Sequence, residues 1–541
     1  MLIGYVSDER YVALPEVLLE FVDSHGNSWE TRSRASGAVH LELPIGEYKV
    51  ILQKPGFGAK FSRIAIPLNE PHHFRLLADG LVGYVWPKWV KAGEESEFRV
   101  HSVEPFKLEL WRYGWEPEFI QSLGWHDEHG PRATMQVTPD GDFTRTGVRF
   151  NEVGYRNSVH SHHVPGPARS GLYYFRAFTV PSQSVPSLTR RAGVQFSFPW
   201  IVAPAKPTAP LAVLASNITW NAYNNFGGRS NYIHAEGCPP TPTVNSRIEL
   251  KRYNDAGHFT WSANEYPPLS FDRPEPFNHI DFQEKITDPI EGRQACHLAP
   301  AEWRLLGWLE REGFPYDYYA ETQLDDGTLD LSSYRVLIAA VHPEYWTRRM
   351  YDRVKKWVFE QGGKLLYLGG NGLNCEVELR PDGSVIYHNG VLSGLDVAGH
   401  GGKESRLHMR HESEANLVGV VFTPTGAMTG APYRVVDGSH WIFEGTGLKT
   451  GDIFGIQCLH QRCPGGASGH ETDKISPNSP KNVKLLAKGL NPDDGGAEMV
   501  IFDTDSGGSV FSVGSINYAA SLPVDEFVSR ITAKVLRRFL L

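Results

Sequence analysis

The sequence predicts a multidomain protein: two N-terminal β-sandwich modules, then an α/β domain with a doubly wound, mostly parallel sheet. Three observations carry that expectation. A chain of 541 residues exceeds what a single hydrophobic core serves. Its 54 Gly, 37 Pro and 14 Trp suit extensive β structure with long, defined loops. From residue 211 onward, short aliphatic runs alternate with amphipathic helical stretches, the grammar of β–α–β units.

Residues 1–80 alternate strands and turns. "VLLEFVDSHGNSWETR" reads as strand, glycine turn, strand. "LPIGEYKVILQKPGF" adds a tight turn at Gly46 and an alternating strand. Residues 81–205 supply "EFRVHSV", "KLELWRYG", "ATMQVTP" and "GLYYFRAFTV", the pattern of a second sandwich. The Pro-rich stretch 199–210, "PWIVAPAKPTAP", reads as a linker.

The α/β domain spans 206–541. "LAVLAS" (211–216), "YRVLIAAV" (334–341) and "GKLLYLGG" (363–370) are expected strands. "PAEWRLLGWLEREG" (300–313) is a helix with Trp303, Leu306 and Leu309 on one face. "PEYWTRRMYDRVKKWVFEQGG" (343–363) is a second, with Pro343 in its first turn and Gly362-Gly363 at its end. Residues 224–296 form an aromatic, turn-rich insertion, and long structured insertions in α/β domains often build the site.

Composition narrows the function classes. Net charge is -9 with no basic stripe, so no nucleic-acid partner is expected. The start "MLIGYVSDERYVALPEV" lacks the basic and apolar regions of a secretory leader, and no apolar run approaches a membrane span. Five Cys in so long a chain do not make a disulfide framework. A cytoplasmic location without membrane attachment is expected.

Open parallel sheets bind ligands beyond the C-terminal ends of their strands. "NITWNAYNNFGG" follows the first strand, "HPEYW" the second and "GGNGLNC" the third, so Tyr223, His342 and Glu344 can converge. On pattern alone Glu344 reads first as a helix-start carboxylate, Tyr223 as a core tyrosine and His342 as a loop histidine. "YLGGNG" stands where an amidotransferase-like sheet carries a Cys nucleophile, but the spot is Asn371 and Cys375 misses the turn. The chain has no G-x-S-x-G, H-E-x-x-H or Walker loop. Two loop clusters, His160/His162/His163 and His126-Asp127-Glu128-His129, have chelating spacing but read first as solvated histidines. "CLHQRC" (Cys458, His460, Cys463) lacks the second half of a closed zinc site.

Several stretches together resemble a known family. "TWNAYNNFGGRSNY", "SFDRP", "HPEYW", "GGKLLYLGGNG" and "GHETDK" are similar to the large, catalytic subunit of N,N-dimethylformamidase. "LVGYVWPKWVKAGEESEFRVH" followed by "LELWRYG" is similar to the β domain before that core. The "LP-x-G-x-Y-x-V" cue of residues 43–50 resembles a carboxypeptidase-regulatory-like sandwich. The family resemblance implies an iron-dependent amidohydrolase that cleaves the C–N bond of a small N-substituted amide. It implies a mononuclear, ferric iron held by two tyrosines and a glutamate. Tyr223 and Glu344 match two ligands and His342 the adjacent histidine. Tyr266, in "NEYPPLSFDRP", is the candidate second tyrosine, with Tyr232 and Tyr253 as alternatives. Implied partners are the small amide, a homo-oligomer and a small companion subunit. Where a variant of the family has an aromatic after "RP", this chain has Glu275. The competing expectation is a non-catalytic carbohydrate-binding or assembly protein built from the same modules.

Overall fold

Side-chain alternation builds the first module. Leu19 and Phe21 are buried in strand Leu18–Val22, as are Tyr48, Val50 and Leu52 in strand Gly46–Lys54. The register Phe21↔Val50 places the two sets on one face. Gly26 turns the chain at φ 84°, and the Asp23 carboxylate accepts the His25 and Asn27 N–H groups at 2.8 and 2.9 Å. The Tyr48 hydroxyl donates to the Pro44 carbonyl at 2.9 Å, which gives the "LP-x-G-x-Y" cue its physical content. A second sheet (Ala38–His40, Leu2–Ser7, His72–Arg75) adds Ile3, Val6 and Phe74 to the same core. The computed structural model describes residues 1–9, 12–102, 104–126, 135–136, 161–179, 193–226, 230–232, 241–242, 268–292, 295–389 and 402–541.

The next core also lies between two sheets. Strands Val82–Trp86 and Glu95–His101 contribute Val85, Phe98 and Val100. Strands Phe106–Tyr113, Gly171–Thr179 and Gln195–Ala203 contribute Leu108, Leu110, Phe175, Phe198 and Trp200. The expected linker is therefore shorter than 199–210. Pro199–Ala203 belongs to a strand, because Trp200 is buried and donates to Ser96 Oγ at 3.1 Å.

A nine-stranded sheet organises the rest. Its order is Asp317–Ala320, Leu211–Ala215, Val336–Val341, Lys364–Gly369, Ser509–Ser512, Glu498–Asp503, Lys484–Gly489, Tyr433–Val435, Ile453–Phe454. The first four neighbouring pairs are parallel and the last four antiparallel. The sheet is thus mixed rather than mostly parallel. Short links join strands 484–489, 498–503 and 509–512, and a short link can only return antiparallel. With its two β modules the protein is mostly β-sheet and multidomain.

The Leu211–Ala215 strand lies between Asp317–Ala320 and Val336–Val341, the next two described strands of this sheet; its own connection runs to one side and that of Val336–Val341 to the other. Its C-terminal end, beside that of Val336–Val341, is therefore a crevice. Helix Ala299–Arg311 is buried all round from Ala299 to Leu309 rather than on one face, and Glu302 and Arg304 are buried in it with Trp303, Leu306 and Leu309.

The expected helix over 343–363 begins later. It spans Arg348–Gln361, with the Thr347 hydroxyl accepting the Met350 N–H and Gly362 closing it at φ 77°. Tyr345–Trp346 instead form a short strand pairing with Cys375–Glu376. Glu344 is therefore not a first-turn carboxylate, and the helix dipole does not account for it.

The unexpected Glu275 has a partner. Lys88 Nζ lies 2.6 Å from its carboxylate, and both side chains are buried. Arg99 and Tyr84 bind Asp272 at 2.7 and 2.5 Å. The "SFDRPE" stretch is thereby bound to the second β module by buried ionic contacts.

Candidate functional site

Helix Asn217–Tyr223, every residue of it buried, carries Tyr223. Buried carboxylates hold its start: Glu302 accepts the Ser216 N–H at 3.1 Å and the Trp220 indole N–H at 2.9 Å, while Glu321 accepts the Ile218 N–H at 3.4 Å. Arg273 holds its end, donating to the Asn221, Phe226 and Ser270 carbonyls at 3.2, 2.7 and 2.9 Å. Trp346 donates to Glu321 at 2.8 Å, so the same buried carboxylate also steadies the segment that carries Glu344.

That segment leaves its strand through strain. Val341 has φ 63°, rare for a β-branched residue. The Glu344 N–H then turns back onto the His342 carbonyl at 2.9 Å and the Thr219 hydroxyl at 3.1 Å. Gly369 makes room, since a Cβ there would stand 2.8 Å from the Val341 carbonyl oxygen. At Gly370 a Cβ would stand 2.5 Å from the Glu471 carbonyl oxygen.

The two segments meet in a buried cluster of oxygens. Glu344 Oε2 lies 3.1 Å from the Tyr223 hydroxyl and 2.8 Å from the Tyr232 hydroxyl. The two hydroxyls are 2.6 Å apart, and the Tyr345 hydroxyl is 2.7 Å from that of Tyr232. Arg406 Nη2 donates to the other Glu344 oxygen at 3.3 Å and Nη1 to Asn389 at 3.0 Å. His342 Nε2 sits between two carboxylates, 3.4 Å from Glu344 and 3.3 Å from Glu471. Asn371 orients Glu471 through a 2.8 Å hydrogen bond.

Electrostatics follow from burial and charge. Burial, reinforced by the Glu344 carboxylate, pushes the Tyr223, Tyr232 and Tyr345 phenols well above their ordinary range. Burial opposes a charged His342, but Glu344 and Glu471 outweigh it and raise the ring's pKa. Glu471 is lowered in turn, the hydrogen bond and charge of His342 overcoming its burial. Burial pushes the Cys375 thiol to about 12, in a strand rather than on the turn, which leaves it a poor nucleophile.

The structure thus brings together Tyr223, His342 and Glu344. Tyr232 joins them, whereas Tyr266 and Tyr253 lie outside the described residues. Trp220 packs as a donor to Glu302, and Phe226 packs with Leu77 and Tyr84. His162 and His163 are exposed in strand Ser161–Pro165, and His160 and 127–129 lie outside the described residues. His126 is buried, stacked 4.8 Å from Phe106. Sequence reasoning missed Arg406, Tyr345, His297 and the role of Glu471. Glu471 stood inside the quoted "GHETDK", but nothing in its spacing ties it to His342; Arg406 follows residues 390–401 with no motif of its own.

Comparison with known proteins gives the family. A family model described as N,N-dimethylformamidase beta subunit-like, C-terminal, matches residues 107–530. The chain therefore belongs to the N,N-dimethylformamidase beta subunit-like family. The N,N-dimethylformamidase beta subunit of Paracoccus aminophilus is 27% identical over 405 residues, covering 63% of this chain and 50% of that one. The beta subunit from an Alcaligenes species is 26% identical over 407 residues, with the same coverage. The chain spans about half the length of these relatives. Among solved structures, the major pilin subunit BcpA of Bacillus cereus aligns over 40% of this chain and 71% of its own, at 8% identity and a TM-score of 0.15.

Proposed function

We propose that this protein is an iron-dependent amidohydrolase that cleaves the C–N bond of a small N-substituted amide. The carrying observation is the convergence of two phenol oxygens and one carboxylate oxygen, each pair within 3.1 Å, at the ends of neighbouring parallel strands. Membership of the family supports it.

The donors fit a mononuclear ferric ion. As phenols, Tyr223 and Tyr232 satisfy each other and Glu344 with their hydrogens. As phenolates beside a carboxylate, they are three anions that only a cation reconciles in a buried site. Hard anionic oxygens suit ferric iron better than zinc. Tyr223, Tyr232 and Glu344 would hold it, with Tyr266 the alternative to Tyr232. When bound, the ion supplies Lewis-acid polarisation of an amide carbonyl and acidifies water.

The remaining steps fall to the chain's own groups. Arg406 holds the second Glu344 oxygen and fixes the carboxylate's orientation. Glu471, whose Oε2 Asn371 orients, would accept a proton from water. His342 Nε2, whose proton affinity its two carboxylates raise, would deliver a proton to the leaving amine nitrogen. Addition of water and protonation of nitrogen together yield a carboxylic acid and an amine.

The C-terminal domain is taken as doubly wound around its parallel strands. Assembly with copies of itself and with a small companion subunit belongs to the same proposal, as the relatives are named as subunits. Among the described residues no helix is long and apolar enough to cross a membrane. The test is hydrolysis of N,N-dimethylformamide by the purified, iron-loaded chain, with Glu344→Ala and Tyr223→Phe beside it. Loss of both metal and turnover in each variant is expected; retained turnover overturns the assignment.

A further inference from the structure

His460 and His470 are buried next to the site and joined by a hydrogen bond for which the proposed chemistry has no use. His460 Nε2 and His470 Nδ1 lie 2.9 Å apart. The Cys463 backbone N–H donates to His460 Nδ1 at 3.1 Å. A backbone N–H is always a donor, so His460 Nδ1 carries no hydrogen. Neutral His460 therefore carries its hydrogen on Nε2 and gives it to His470 Nδ1. His470 Nδ1 is thereby an acceptor, and that ring's own hydrogen sits on Nε2. The His470 ring makes no second hydrogen bond among the described residues, although the residue is 3% exposed.

The backbone explains how this ring reaches the site. In extended chain, neighbouring side chains point to opposite faces. Here Glu471 reaches His342, while the His470 ring packs 5.2 Å from that of His297, itself 5.3 Å from the His342 ring. His470 has φ 65°, a strained conformation for a non-glycine residue, and it turns both neighbours toward one cluster.

We infer that His460 locks His470 as a neutral Nε2–H donor for the carbonyl or carboxylate oxygen of a small ligand bound beside His297 and His342. Only the identity of that ligand rests on the amide-hydrolase reading. A charged His460 would set an Nδ1–H against the Cys463 N–H. A charged His470 would set an Nδ1–H against the hydrogen of His460. Burial and the nearby Arg462 act in the same direction, taking His460 down to about 3. Burial, with His460, His297, Arg462 and His342 around it, takes His470 well below its ordinary value. Glu471, the next residue, is the opposing charge. A fixed neutral imidazole donates without changing charge across the working pH range.

Ring nitrogen spectra of the histidine-labelled, metal-free full chain test this, with His470→Gln identifying the resonance. His470 should stay neutral, with its hydrogen on Nε2, from pH 5.5 to 9. In His460→Leu the ring should gain an Nδ1–H population and begin to titrate, while His460→Gln, which keeps a donor, should hold the lock. The wild-type spectrum decides even if His460→Leu does not fold. A hydrogen on His470 Nδ1, or titration of that ring in the wild type, overturns the lock. Added N,N-dimethylformamide, given to the same chain loaded with diamagnetic gallium(III) in place of ferric iron, should shift the His470 N–H. A response at His342 without one at His470 overturns the donor role. No response at either ring, with the lock intact, counts against the amide-hydrolase reading and leaves the lock supported.

Discussion

The Tyr232 hydroxyl lies 2.8 Å from Oε2 of Glu344, and 2.6 Å from the Tyr223 hydroxyl that shares the same carboxylate oxygen. If three oxygens this close hold the proposed ion as one unit, removing one should cost most of the affinity for it. Tyr232→Phe and Tyr223→Phe are both expected to lose bound iron, whereas Tyr345→Phe should keep it. Iron per chain after dialysis reads this directly. Full iron in Tyr232→Phe, with loss in Tyr266→Phe, would move the second ligand to Tyr266.

Arg406 touches Glu344 and is not itself a ligand of the proposed ion. Arg406→Leu leaves one Glu344 oxygen without its cationic partner, and partners of this kind are worth about 10–100-fold in metal affinity. A competition titration with a chelator should show a loss of that order, with Arg406→Lys between the variant and the wild type. Unchanged affinity would make Arg406 a packing residue.

Lys88 and Glu275 join the "SFDRPE" stretch to the second β module across 2.6 Å. Breaking a buried pair from one side costs about 3–5 kcal/mol, because the other charge is left buried. Lys88→Met or Glu275→Leu should therefore lower the denaturation midpoint sharply, and the double variant should recover much of the loss. A double variant as weak as the sum of the singles would show that the two residues act separately.

Burial raises Glu302 from 4.5 to about 7. Between those values the folded state keeps a proton that the unfolded state has released. The stability it contributes is present below about pH 4.5 and is lost as pH rises toward 7. Glu302→Gln removes that titration. Urea midpoints at pH 5 and pH 8 should show the variant gaining on the wild type at the higher pH. A constant difference would contradict the linkage.

Much of this was legible in the residues. Alternation in "VLLEFV" and "GEYKVIL" revealed the first module, and the aliphatic runs at 211 and 336 revealed the crevice strands. The antiparallel half of the sheet was not, since two of its strands span only two and three residues and no α-helix separates strands 484–489, 498–503 and 509–512 to mark them out. Pro343 misled because X-Pro before a periodic run reads as a helix start, while Val341 had already turned the chain out of the strand and Thr347 supplied the actual cap. Tyr223 and Glu344 were placed by strand ends. Tyr232 was only an alternative, because the sequence between it and Tyr223 has no period from which to read a direction. Glu471, Arg406 and the His460–His470 pair come from distant chain segments, and only the folded geometry brings them together.

Metal content and the visible spectrum of the purified protein, grown with iron, test the central claim most directly. Two tyrosine ligands to ferric iron predict roughly one iron per chain and a tyrosinate-to-iron absorption band that disappears in Tyr223→Phe. A colourless, iron-free protein that still hydrolyses N,N-dimethylformamide would contradict it.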